Sequence, residues 1–412
     1  MVYFIILIIL IILLLPQIHY RKSNNLSQNE GVNLKCDLIF KDEEVSQERQ
    51  DLQNFGNVKD FYELPNCKSL KVKSYDDFIL SAAFFPVENP KALVQIIHGA
   101  LEHKERYFHL IKFLNENNYS VFISDNRGHG ASLSDRYTFG YIDGVEKVVD
   151  DNIAITRALK EKFPDKEIYL VGHSLGTVFG RIYLEEADDL IGKLVLSGPP
   201  NYVTKVYLAL FVANIINFYF GEERTVFILK KLYTGDKTNW DWLSYSQDNI
   251  VDAKSDPLMP KVFKNRGYLA VFEGVKELNN LKNFKCKNPN LQILFLAGKD
   301  DMVIGGESGF ESSIDALKKV GYKNIEAKLY ENMKHEIFRE EKRDKVFKDL
   351  VDFLEKWELN IFTKQKSWRK KSASAFIVRF SMNKPPAMLV VGILALASSK
   401  KPPVINYICY WQ

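Results

Sequence analysis

Apolar residues fall into short unbroken runs separated by helix-length stretches of mixed polarity, and the alternation is regular from about Ser69 to Glu358. The runs Ala92 to Ile97, Ser120 to Ser124, Glu167 to Val171, Lys193 to Ser197 and Leu291 to Ala297 predict strands, several of them apolar on both faces and so buried on both. Phe78 to Pro86 and Ile325 to Tyr330 predict two more. Glu105 to Asn115, Gly144 to Lys162, Leu175 to Glu186, Glu311 to Lys319 and Lys342 to Trp357 predict helices between them. Strand and helix in turn specify an α/β fold, a mostly parallel central sheet flanked by helices. The rhythm lapses once, from about Pro199 to Lys285, where long apolar segments such as Tyr207 to Phe220 and Val226 to Tyr233 predict an inserted helical lid.

The ends of the chain read differently. Val2 to Leu15 is apolar without a break before Pro16, and as a helix it would cover only about 20 Å, short for a full span. No basic residue precedes it, no small-residue cleavage site follows, and Arg21 and Lys22 lie just after it. Residues 1–22 are therefore expected to be a signal sequence or membrane anchor, placing the protein at a membrane or in the secretory pathway. The apolar lid helices offer a second membrane contact. A polar linker at 23–68, the first part of the core at 69–199, the lid at 200–285 and the second part of the core at 286–360 complete the expected organisation. Residues 361–412, a basic and apolar tail, are expected to be a poorly ordered extension.

Composition narrows the partners. With 46% hydrophobic and 26% charged residues, the 412-residue chain has the average make-up of a globular protein. A net charge of +4, from 56 basic and 52 acidic residues, gives no field suited to a phosphate backbone, so nucleic acid is excluded as a main partner. Four scattered cysteines without a Cys-x-x-Cys pair indicate neither a disulfide framework nor a zinc ribbon. His98, His103, His109 and His129 match no metal-ligand spacing. No metal and no cofactor are expected.

The chemistry concentrates in Gly172-His173-Ser174-Leu175-Gly176, which follows an apolar strand and opens a helix-compatible segment. This is the Gly-x-Ser-x-Gly elbow in its strand-turn-helix setting, where a tight turn lifts the serine hydroxyl above the sheet. A hydroxyl is a weak nucleophile near neutral pH and needs a base, which in turn needs an acid to hold its tautomer. In this fold the order is serine, acid, histidine, and of seven histidines only His335 follows Ser174. The acid is expected at the end of the preceding strand, in Gly298-Lys299-Asp300-Asp301. Asp301 is the choice and Asp300 the alternative. The oxyanion formed on an attacked carbonyl requires amide donors. Those of Leu175, at the helix start, and Ala100, in the turn His98-Gly99-Ala100, are the candidates.

Together with these segments, Leu101-Glu102-His103, Arg106-Tyr107, Asp125-Asn126-Arg127-Gly128-His129-Gly130-Ala131-Ser132, Ser255-Asp256-Pro257-Leu258 and His335-Glu336-Ile337 resemble the monoglyceride lipase and lysophospholipase branch of the α/β-hydrolases, in family order over about residues 70 to 358. Thr177 departs from the glycine often found after the elbow. The resemblance implies a serine hydrolase cleaving carboxylic ester bonds of single-chain lipids, a lysophospholipid or a monoacylglycerol, with a mobile lid. A small-molecule carboxylesterase, an acyltransferase and a catalytically silent ligand-binding protein are the alternatives.

Overall fold

The computed structural model describes residues 2–27, 34–40, 56–234, 239–356 and three strands beyond, at 376–380, 389–394 and 406–410. The chain divides into two units, Met1–Lys356 and Trp357–Gln412. The second contains a three-stranded antiparallel sheet.

The first unit is built on nine strands: β1 (Asp37–Phe40), β2 (Lys68–Lys73), β3 (Ile79–Phe85), β4 (Leu93–Ile97), β5 (Ser120–Ser124), β6 (Ile168–His173), β7 (Lys193–Ser197), β8 (Gln292–Gly298) and β9 (Asn324–Tyr330). Their order across the sheet is β1-β2-β3-β5-β4-β6-β7-β8-β9. From β5 to β9 every pairing is parallel, and β1, β2 and β3 extend one edge in antiparallel fashion. Period two along the strands divides the core: Leu93 and Ile97 join Leu170 and Leu194 on one face, while Val94 and Ile96 join Val171 and Val195 on the other.

Helices cover both faces. The first layer holds α4 (Val145–Lys162), α5 (Leu175–Ala187) and α10 (Gly306–Val320). The second holds α2 (Gly56–Tyr62), α3 (Phe108–Glu116) and α11 (Arg343–Glu355). The one amide in β4, Gln95, is buried but satisfied by Asn152 and Thr156 of α4, so it fixes that helix on the sheet. Between β7 and β8 the chain inserts α6 (Val206–Phe220), α7 (Phe227–Thr234), α8 (Gln247–Ser255) and α9 (Asn265–Glu277).

The amino-terminal run forms α1 (Val2–Ser27), which continues through a buried Pro16 into polar sequence. There it meets the insertion. Gln17 donates to the Phe211 carbonyl at 3.1 Å and accepts from Asn214 at 2.8 Å, and the Tyr20 hydroxyl donates to Glu222 at 2.9 Å. The sequence reading placed this segment, and the insertion with it, at a membrane or in the secretory pathway, and the structure corrects it. Among the described residues no helix is long and apolar enough to cross a membrane. The apolar run is spent on a helix whose polar continuation pairs with α6.

Candidate active site

The elbow forms because two glycines allow it. A Cβ at Gly172 would stand 2.6 Å from the Gly176 carbonyl oxygen, and one at Gly176 would stand 2.2 Å from that of Ile97. Any larger residue would push β6, α5 and β4 apart. Ser174 between them adopts φ 51° and ψ −119°, a conformation that L-residues rarely adopt. Its amide donates to the Ser197 carbonyl of β7 at 2.8 Å, which fixes the strained turn on the neighbouring strand.

The other sequence candidates come together over this turn. His335 Nε2 lies 2.7 Å from Ser174 Oγ, and His335 Nδ1 lies 2.9 Å from Asp301 Oδ2. Asp301 is buried, and its second oxygen accepts from the Val303 amide at 2.7 Å. A carboxylate only accepts, so the Nδ1 proton belongs to this pair and Nε2 is left to accept from the serine. Asp300 is instead directed outward, accepting from the Tyr245 hydroxyl at 3.0 Å. The loop carrying His335 follows β9. The β7 exit passes under it, since a Cβ at Gly198 would touch the imidazole at 3.1 Å.

Leu175 opens α5, so its amide has no intrahelical acceptor. Ala100 lies in the turn after β4, next to Gly99, where a Cβ would stand 3.0 Å from Ser174 Cβ. Two buried side chains hold this turn. Glu102 accepts from the Gly99 amide and from the Tyr107 hydroxyl. His98 Nε2 accepts from the Asn126 amide at 2.8 Å, which forces its proton onto Nδ1, where it is donated to the Gly99 carbonyl at 2.8 Å. Burial lowers the His98 pKa to about 4, so the ring stays neutral and the arrangement keeps its polarity.

Sequence reasoning missed the ionic cluster behind these groups. Arg106, fully buried, reaches Glu336 at 2.7 Å, Asp252 of α8 at 3.0 Å and Glu102 at 3.5 Å. It therefore joins the loop carrying His335, the insertion and the turn after β4. Burial alone would raise the Glu336 pKa, but the charges of Arg106 and Arg339 outweigh that and lower it. His103 bridges Glu105 at 2.7 Å and Asp256 at 2.8 Å. Burial opposes its charge, yet the hydrogen bonds to Asp256 and Glu105 raise its pKa to about 9, making it an imidazolium at neutral pH. The cluster members Glu102, His103, Arg106, Asp256 and Glu336 all stand in the segments that carry the family resemblance, but nothing in the sequence says that they pair.

This sheet order and an elbow serine define an α/β-hydrolase, a serine-hydrolase-fold enzyme of the lipase and esterase superfamily. Residues 88–342 match the family described as "Serine aminopeptidase, S33", and the chain belongs to that family. Mouse monoglyceride lipase (Mus musculus) is 28% identical over 266 residues, covering 62% of this chain and 78% of that one. A monoglyceride lipase homolog from monkeypox virus is 26% identical over 288 residues, 69% and 95% of the two chains. The carboxyl esterase of Bacillus coagulans, solved in complex with glycerol, shares the fold with a TM-score of 0.63 at 22% identity, covering 70% of this chain and 97% of that one.

Proposed function

We propose that the protein hydrolyses carboxylic esters of single-chain lipids, a monoacylglycerol or a lysophospholipid, through an acyl-enzyme. The continuous line of hydrogen bonds from Asp301 through His335 to Ser174, set on a strained elbow, carries the reading. Ser174 Oγ attacks the ester carbonyl as His335 Nε2 takes its proton, and Asp301 holds the imidazolium that results. The carbonyl oxygen, now an oxyanion, is stabilised by the amides of Ala100 and Leu175. His335 then returns the proton to the leaving alcohol. Water attacks the acyl group in the same manner, releasing the fatty acid and restoring the serine. The helices inserted between β7 and β8 act as the lid over this centre.

The relatives named for monoglyceride lipase activity support the lipid class, and the apolar side chains of α6 and α7 suit a greasy substrate. A fluorophosphonate probe should label the wild-type protein at Ser174. Ser174→Ala should abolish labelling and turnover, whereas His19→Ala should leave both unchanged. Turnover of monoacylglycerols or lysophospholipids should exceed that of short esters across a substrate panel, and a preference for short esters would overturn the lipid assignment. An unlabelled wild-type protein would overturn the mechanism.

A further inference from the structure

We propose that Trp242, in the insertion, is a positioning residue for His335, so that the inserted segment before α8 and the base loop move as one body. The inference rests on the assignment of His335 as general base. The Trp242 and His335 rings lie 5.3 Å apart between centroids, tilted by 42°. His173 also stands near the imidazole, at 5.1 Å with a tilt of 41°. The imidazole thus touches one ring of the core and one ring of the insertion.

Backbone bonds tie the two segments alongside the ring contact. The Glu336 amide donates to the Leu243 carbonyl at 2.9 Å. Glu340, buried, accepts from the Lys334 amide at 3.0 Å and from the amides of Tyr245 at 3.0 Å and Ser246 at 3.3 Å. The Lys334 ammonium donates to the Asp241 carbonyl and lies 4.1 Å above the Tyr245 ring. Five links between residues 241–246 and 334–340 thus tie the backbone on either side of Trp242 to the loop that carries His335. An indole ring in contact with an imidazole favours the cation that forms when the serine proton arrives and shields it from water.

Two substitutions separate a positioning role from a structural one. Trp242→Leu removes the ring, and Trp242→Phe keeps a smaller one. Three measurements are made on each full-length variant: the rate of Ser174 labelling by a fluorophosphonate, kcat and KM on p-nitrophenyl butyrate, and the low-field proton resonance of the imidazole Nδ1–H. Trp242→Leu should lower both labelling rate and kcat by roughly tenfold. KM should stay within about twofold and the low-field resonance should shift or broaden. Trp242→Phe should recover most of the loss. Wild-type labelling rate and resonance in Trp242→Leu would overturn the proposal, as would a change confined to KM. A wild-type protein that is not labelled at all would overturn the base assignment and this inference with it.

Discussion

Two adjacent aspartates after β8 differ only in direction, and that difference carries a large expected effect. Asp301 faces His335 while Asp300 faces the Tyr245 hydroxyl. Replacing the acid of such a triad by its amide preserves shape but supplies an N–H where an acceptor is needed, and the imidazole turns to the wrong tautomer. Asp301→Asn should therefore lower kcat by about four powers of ten, whereas Asp300→Asn should change it by less than about threefold. Steady-state kinetics on a short ester decide between them, and equal losses would mean that the carboxylates share the task. At this scale the sequence was informative where order along the chain restricts choice: one histidine follows Ser174. It was silent on partners set by the third dimension. Arg106 and Glu336 are 230 positions apart, and nothing local to either marks the pair. Trp242 lies in a stretch with no strand rhythm, and only the folded insertion brings its ring to His335.

At the scale of elements, the interior parallel strands were legible because burial on both faces makes them apolar throughout. β1 and β2 escaped notice. β2, Lys-Ser-Leu-Lys-Val-Lys, sets Lys71 and Lys73 opposite the buried Leu70 and Val72, and β1 is four residues long within polar sequence. β1 is the edge of the sheet and β2 the strand inside it, and the polar and charged residues there hide both from a search for apolar runs. The join between core and insertion yields a pH prediction. His103 donates to Asp256, beyond the end of α8, and to Glu105 of the core. Its pKa is raised from 6.5 to about 9, so the folded protein holds this proton where the unfolded chain has released it. The contribution, of order 3 kcal/mol, is fully present below about pH 6.5 and is lost as the pH rises through about 9. Urea midpoints from pH 6 to 10 should fall for the wild-type protein and fall less for Asp256→Asn, in which the imidazolium has lost one of its two anionic partners. His98 acts at the other end of the scale. Its pKa is lowered to about 4, so its contribution is present above about pH 6.5 and is lost as the pH falls through 4.

For the whole unit, the notable feature is that the first helix pairs with one that begins some two hundred residues later. An apolar run of this length reads as an anchor, and in the fold its side chains from Ile9 to Leu15 stay largely exposed. What attaches the helix to the insertion is the few polar residues at its end. Gln17 exchanges two hydrogen bonds with α6, through Asn214 and the Phe211 carbonyl, Tyr20 closes on Glu222, and the Tyr219 hydroxyl donates to the Ile12 carbonyl at 3.0 Å. His19 packs edge-on against Phe218. If α1 holds α6 in place, loosening it should raise local opening of α6 and leave the sheet untouched, because opening free energies are set region by region. Gln17→Leu removes both bonds to α6 and strands the Asn214 amide beside an apolar side chain, a loss worth about 1–2 kcal/mol. Hydrogen exchange should then show α6 amides exchanging roughly tenfold faster, with those of β6 and β7 unchanged. Unaltered protection in α6 would mean that the helix is held by α9 and the core alone, and that α1 rests on it without contributing to its stability.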